Sequence, residues 1–197
     1  EISCQYIIWS GVAMADVTVS SQRREDLNGC WILDPKKGSP SMRQFLEVMG
    51  VDELAIQANE KGESEHPTFQ TITLSDKSIK IIKRSRVNND VVVDLTLGEV
   101  EIEYLSPGQR EKRVLATSLS PQHVQIESSL LTVNGLAKVM EVKKLINEED
   151  TSLLQQELTI TNAATGQSHT TVRYFIPYLD TPPHLEDLLV ADEAVPT

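Results

Sequence analysis

The chain is expected to fold as a mostly-β protein: a single up-and-down antiparallel β-barrel of about ten strands, with a helix-turn-helix lid between the first two strands. Three observations predict this. Residues 68–176 form a series of short runs with an alternating apolar and polar period, cut by turn residues. A pair of short amphipathic helical segments precedes them. Ahead of those lies a strand-like segment opening with Gly29-Cys30-Trp31. No crossover helices separate the later strands, which favours a meander over parallel βαβ units. Closing such a meander removes exposed sheet edges, and small closed barrels hold at most one small ligand inside.

Taken in order, residues 1–26 read as an N-terminal arm, 27–179 as the barrel and 180–197 as a flexible acidic tail. Within the arm, residues 1–15 admit two readings: the end of a truncated signal peptide with an Ala13-Met14-Ala15 site, or upstream residues before a native start at Met14. The absence of a basic n-region favours the second, and with it a cytoplasmic protein. Leu27–Asp34 is the first strand, stopped by Pro35 and the turn-like Lys36-Lys37-Gly38. Ser39-Pro40 offers an N-cap and a proline at the first helical position. Met42, Phe45, Leu46 and Met49 follow at helical spacing until Gly50. Asp52 caps a second helix, with Leu54, Ile56 and Ala58 ahead of Glu60-Lys61-Gly62. Strands are then expected at 68–74, 78–86, 90–97, 99–104, 110–119, 122–133, 136–147, 152–161 and 168–176. Asn134-Gly135 and Pro107-Gly108 supply strong turn signals.

Alternation assigns faces. Ile79, Ile81 and Val87 point inward, with Lys80, Arg84 and Arg86 outward. Val91, Val93, Leu95 and Leu97 point inward against Asp90 and Asp94. Val100, Ile102 and Tyr104 point inward against Glu99, Glu101 and Glu103. The basic segment 80–86 then reads as one side of a set of cross-strand ion pairs, each worth at most about 1 kcal/mol, rather than as a nucleic-acid patch.

Composition narrows the function. Of the 197 residues, 40% are hydrophobic and 24% charged, and the net charge is -11. Glu1 together with Asp180, Glu186, Asp187, Asp192 and Glu193 supplies about half of that acidity. An acidic chain is a poor partner for nucleic acid, and membrane contact is expected to be at most transient. Cys4 and Cys30 form no Cys-x-x-Cys or disulfide ladder. His66, His123, His169 and His184 lack metal-ligand spacing, and no nucleophile elbow, P-loop or dinucleotide fingerprint occurs. No cofactor, metal or catalytic residue is therefore assigned, and the protein is read as a non-enzyme.

Arg173 stands out, because the strand Thr170–Ile176 carries no other charge. Either it faces out alone, with Val172, Tyr174 and Ile176 inside, or it points inward to an anion that fits its planar fork.

In their order, these segments resemble the intracellular lipid-binding proteins, the cytosolic fatty acid-binding family of the calycin group. Gly29-Cys30-Trp31 with Leu33 is similar to the family's opening Gly-x-Trp. Phe45-Leu46-Glu47-Val48-Met49-Gly50-Val51 resembles its first portal helix, and Pro67-Thr68 its entry to the second strand. Leu97-Gly98-Glu99 with Glu101 and then Arg110–Arg113 resembles its gap between the fourth and fifth strands, and Thr171-Val172-Arg173-Tyr174-Phe175 its terminal Arg-x-Tyr. The resemblance implies monomeric, non-covalent carriage of a long-chain fatty acid or similar amphipathic carboxylate. It places Arg173 at the headgroup, with Phe175 where the family has tyrosine, so that hydroxyl is missing. The second basic position falls at Lys143, whereas alternation would bury Met140, Val142 and Ile146 and turn Lys144 inward; both lysines stay candidates. Trp31, Phe45 and Met49 complete the expected ligand surroundings. The rivals are a lipocalin-like carrier, which normally has one long lid loop and no helix pair; a calycin-barrel enzyme, for which Glu141 is the obvious acid or base; and an interaction module filled by its own side chains. An aromatic content of only 5% favours a cavity.

Overall fold

The computed structural model describes residues 23–85, 88–105, 110–148 and 151–179. The expectations for residues 1–15, for Arg86 and Val87 and for 180–197 lie outside them.

Strand β1 (Gly29–Gly38) leads into helices α1 (Arg43–Met49) and α2 (Glu53–Glu65). Nine strands follow: β2 (Phe69–Leu74), β3 (Ser78–Ser85), β4 (Asn88–Thr96), β5 (Val100–Leu105), β6 (Arg110–Ser120), β7 (His123–Thr132), β8 (Gly135–Glu148), β9 (Thr151–Asn162) and β10 (Ser168–Tyr178). They form one antiparallel sheet in the order β4-β3-β2-β1-β10-β9-β8-β7-β6-β5. The first and last strands pair, with Leu33 opposite Phe175, and this rolls the meander into a barrel. β4 and β5 lie at the two ends of the hydrogen-bonded order, so the barrel is nearly but not fully closed. At one point the chain after β4 reaches past β5: Leu97 bridges Ala116 of β6, and Gly98 N–H donates to the Ala116 carbonyl at 2.8 Å.

Several local expectations are corrected. Pro35 does not stop β1, because it sits in a bulge between Asp34 and Gly38, where a missing N–H costs no ladder bond. Ser39-Pro40 does not start α1. Ser39 N–H instead donates to the Val172 carbonyl at 2.8 Å, prolonging the β1–β10 edge, and α1 begins at Arg43 with no side-chain cap. Asp52 caps α2 as expected, accepting from Leu54 N–H at 2.9 Å. However, α2 runs through Gly62 and ends at His66, whose extended backbone is what a following proline demands.

β5 has the opposite phase to the expected one. Val100, Ile102 and Tyr104 are 64%, 50% and 63% exposed. The ladder to β6 puts Glu101 opposite the buried Val114, so the glutamates share the inner face. An inner face beside an open slot meets water, and hydrophobicity no longer decides the phase. On β4, Leu95 is buried and Val93 packs on the core, but Val91 is half exposed. The expected cross-strand ion pairing does form at Arg84 Nε–Asp90 Oδ2, 2.7 Å.

The interior holds two apolar clusters. One gathers Trp31, Leu33, Ile72, Ile79, Ile81, Val124, Leu154 and Phe175. The other, under the lid, joins Phe45 and Val48 of α1 to Leu130, Ala137, Leu158 and Ile160, with Met42, Leu46 and Met49 at its edge. Gly50 ends α1 in the left-handed region at φ 79°, and a Cβ there would meet Asn134 and Val133 of the β7–β8 turn at 2.4 and 2.7 Å. The lid is thus seated on that hairpin through a backbone only glycine permits without strain. Arg43 clasps the two helices together, reaching Glu53 at 3.0 Å and also Glu60.

Candidate binding site in the barrel interior

Between the two apolar clusters runs a layer of charged and amide side chains. Register builds it. Arg173 lies opposite Gln156, Gln156 opposite Lys143, and Thr171 on β10 leads through Leu158 to Glu141. Residues opposite in a ladder share a face, so Arg173, Gln156 and Lys143 project inward together. Arg173 and Lys143 stand two strands apart, about 10 Å at the backbone. From the other side β2 and β3 add Gln70 and Lys83, themselves partners in register.

The polar groups of this layer are mostly spent on one another. Lys143 Nζ, with a wholly buried side chain, donates to Glu141 Oε1 at 2.8 Å and to Gln70 Oε1 at 2.7 Å. Glu141 also accepts from Gln156 Nε2, and its second oxygen faces Lys83 Nζ at 3.5 Å. Burial pushes the Glu141 carboxyl up, but the charges of Lys143 and Lys83 outweigh it and hold the group below the usual carboxylate range. Burial lowers the Lys143 ammonium to about 8, against the opposing pull of Glu141. Arg173 Nη2 is paired with Glu63 Oε1 of the lid helix α2 at 2.8 Å. Three buried polar atoms around this layer lack a partner: Arg173 Nε, Thr171 Oγ1 and Gln70 Nε2. Such orphans are rare in native interiors.

Of the residues singled out from sequence, Arg173, Lys143, Phe175 and Trp31 face the interior and are buried, and Phe45 is buried under the lid. Met49 sits at the margin of the lid cluster. Lys144 is exposed, which corrects the alternation reading: the inward residues of β8 are Ala137, Val139, Glu141, Lys143 and Leu145. The arginine above Trp31 is Arg24, with its guanidinium 4.7 Å from the ring, while Trp31 Nε1 donates to the Leu27 carbonyl at 3.0 Å. Arg173 lies instead in the polar layer, paired with Glu63.

Glu63, Gln70, Gln156 and Lys83 were not anticipated. Each carried a signal: Gln70 is two residues from Ile72, Gln156 lies between Leu154 and Leu158, Lys83 shares the parity of Ile79 and Ile81, and Glu63 is two helical turns from the buried Ile56.

An interior cavity of about 80 Å³ adjoins the layer, lined by Lys83, Lys112 and Glu141 among Ile81, Val93, Val114, Ile126, Ser128 and Val139. Ligand pockets usually measure about 300–1,000 Å³, so this one has room for a few waters as it stands. A broader groove of about 460 Å³ lies elsewhere, over the outward residues Val100, Leu115, Met140 and Lys138. It does not touch Arg173 or Lys143. Among the described residues no group of three metal-ligating side chains gathers.

This architecture is the fold of the fatty acid-binding and related intracellular lipid-binding proteins. The REP1-NXSQ fatty acid transporter superposes with a TM-score of 0.56 at 12% identity, covering 79% of this chain and 97% of its own. Caenorhabditis elegans lipid binding protein 8, in its apo form, gives 0.56 at 16% identity over 81% and 100%. The Schistosoma mansoni fatty acid binding protein in complex with arachidonic acid gives 0.52 at 14% over 78% and 96%. No family model and no curated sequence matches the chain.

Proposed function

We propose that the barrel binds one long-chain fatty acid or similar amphipathic carboxylate, non-covalently, and carries it as a monomer through the cytoplasm. The observation that carries this reading is the buried Arg173 guanidinium with its Nε unpartnered, one strand from Gln156 and two from Lys143. A carboxylate needs fixed cations to leave water, and a guanidinium matches both of its oxygens. The apolar clusters on either side supply the surface for an acyl chain, at about 0.8 kcal/mol per buried methylene. The names of the structural neighbours, a fatty acid transporter and an arachidonic acid complex, support the same ligand class. The helix pair between β1 and β2 weighs against the lipocalin alternative. A catalytic Glu141 is disfavoured, because both of its oxygens are engaged by Lys143, Gln156 and Lys83.

The test is a displacement titration of delipidated protein carrying a fluorescent amphipathic anion. Oleate should displace the probe at micromolar concentration with one-to-one stoichiometry. Arg173→Ala should weaken oleate by roughly 1.5–3 kcal/mol, the range for a hydrogen bond to a charged group, and oleyl alcohol by much less. Failure of oleate to displace the probe refutes the carrier reading; equal losses for acid and alcohol refute the headgroup role of Arg173.

A further inference from the structure

The geometry points to Glu63 as a built-in occupant of the anion site, which a ligand carboxylate replaces, so that binding an acid releases the last turn of α2 while binding a neutral amphiphile does not. This rests on the carboxylate reading proposed above.

The side-on edge of a guanidinium is formed by Nε–H and one Nη2–H, and a carboxylate fits that edge with both oxygens. Glu63 takes only half of it: Oε1 accepts from Arg173 Nη2 at 2.8 Å, while the buried Nε has no partner. Glu63 reaches the site from the last turn of α2 and leaves the Nε donor unsatisfied. A free carboxylate has no such tether, so it can occupy the whole edge and displace Glu63. The exchange keeps charge balanced inside the barrel, because one carboxylate enters as another leaves.

The released segment is poorly made for standing alone. The last turn of α2 contains Gly62, Glu63, Ser64 and Glu65, with no basic residue. Glycine is a weak helix former, and carboxylates at a helix C-terminus oppose the negative end of the helix dipole. Pro67 prevents the helix from continuing. The contact of Glu63 with Arg173 therefore anchors a turn that sequence alone disfavours. Glu63 is 18% exposed in the pair, against 52% for Glu65 of the same turn. Losing that anchor moves the turn from docked to frayed. A neutral ligand leaves Glu63 in place, so Glu63 also sets specificity: it taxes acids and leaves alcohols untouched.

Two measurements test this on the intact chain. Glu63→Gln keeps the shape but removes the competing charge. It should tighten oleate roughly tenfold, in the way that removing a competing state raises apparent affinity, and leave oleyl alcohol within about twofold, which also reports that the barrel is intact. Hydrogen exchange at the backbone amides of residues 62–66 should accelerate when wild type is loaded with oleate and stay unchanged with oleyl alcohol. Equal oleate affinities for wild type and variant, or slower exchange at 62–66 with oleate, would overturn the exchange while leaving carboxylate binding intact. Absence of oleate binding in both proteins would overturn the carboxylate reading and this inference together.

Discussion

Removing the Glu141 carboxylate while leaving Lys143 tests whether the polar layer is held together by charge. In Glu141→Gln the Lys143 ammonium loses a partner at 2.8 Å, in a side chain with no exposure. Breaking a buried pair by removing one member costs about 3–5 kcal/mol, because the remaining charge stays desolvated. Here Lys143 keeps the Gln70 oxygen at 2.7 Å, so the loss should fall at the lower end, about 3 kcal/mol. For a chain of this size that is a drop in Tm of roughly 6–12 °C. Lys83 adds little to the penalty, since its side chain is 36% exposed and can turn to water. The companion variant Glu141→Gln/Lys143→Met removes the stranded cation and should recover to within about 1 kcal/mol of wild type. Urea unfolding with linear extrapolation measures both. The acid limb gives an independent check. The folded pKa of Glu141 is depressed, so its contribution is present above the unfolded value of 4.5 and is lost as pH falls through the folded one. Wild-type stability should therefore decline below about pH 4.5 more steeply than that of Glu141→Gln. A single-variant loss below about 1 kcal/mol, or a double variant as unstable as the single, would refute the reasoning.

Two further outcomes concern the lid. Gly50→Ala forces a side chain into a left-handed backbone against Asn134 and Val133; it should cost about 1–2 kcal/mol in denaturant unfolding, and no loss would show that the α1 terminus is free to shift. In vesicle transfer, the rate should not respond to vesicle concentration or anionic lipid fraction. Segment 39–61 sets two bases against four acids, Arg43 is already held by Glu53 and Glu60, and Lys61 lies 3.8 Å from Glu65. Lids that dock on anionic membranes gain about 1 kcal/mol per free basic residue, so a rate that climbs with either variable would contradict this.

Strand periodicity specified the phase of β3, but not of β5, where a clearly apolar face turned outward beside the open slot. Ile79 and Ile81 on β3 point inward as alternation requires, and Leu95 on β4 is buried as well. It also failed on β8, where Met140, Val142 and Ile146 made the outward face look like the buried one. The charges that face inward, Glu141 and Lys143, are paired with each other and with Lys83, and are hydrogen-bonded by Gln70 and Gln156 on other strands. Such compensation depends on register between distant segments and leaves no local trace. The same holds for the lid: a glutamate in a polar helix end reads as solvated until β10 places Arg173 beneath it. Likewise Ser39-Pro40 reads as a helix start only while the Val172 carbonyl that claims the Ser39 N–H is out of view.

The slit between β4 and β5 sets how far this container can be stretched. A fully laddered cylinder has a fixed girth, since widening it means breaking backbone hydrogen bonds all along a strand. Here the ring is cut: no ladder joins the two lips, although Leu97 and Gly98 meet Ala116 of β6 and Thr96 N–H of β4 donates to the Glu101 side chain of β5 at 2.6 Å. Parting β5 from β4 breaks no ladder bond, only the Thr96–Glu101 contact and, where β6 follows, the bridge at Ala116. The inner face of β5 already carries Glu103, paired with Lys112 at 2.7 Å and able to stay paired as the two strands move as one. The cavity of about 80 Å³ borders this seam through Val93 of β4 and Lys112 and Val114 of β6, so enlarging it on that side would break no rung of the continuous ladder.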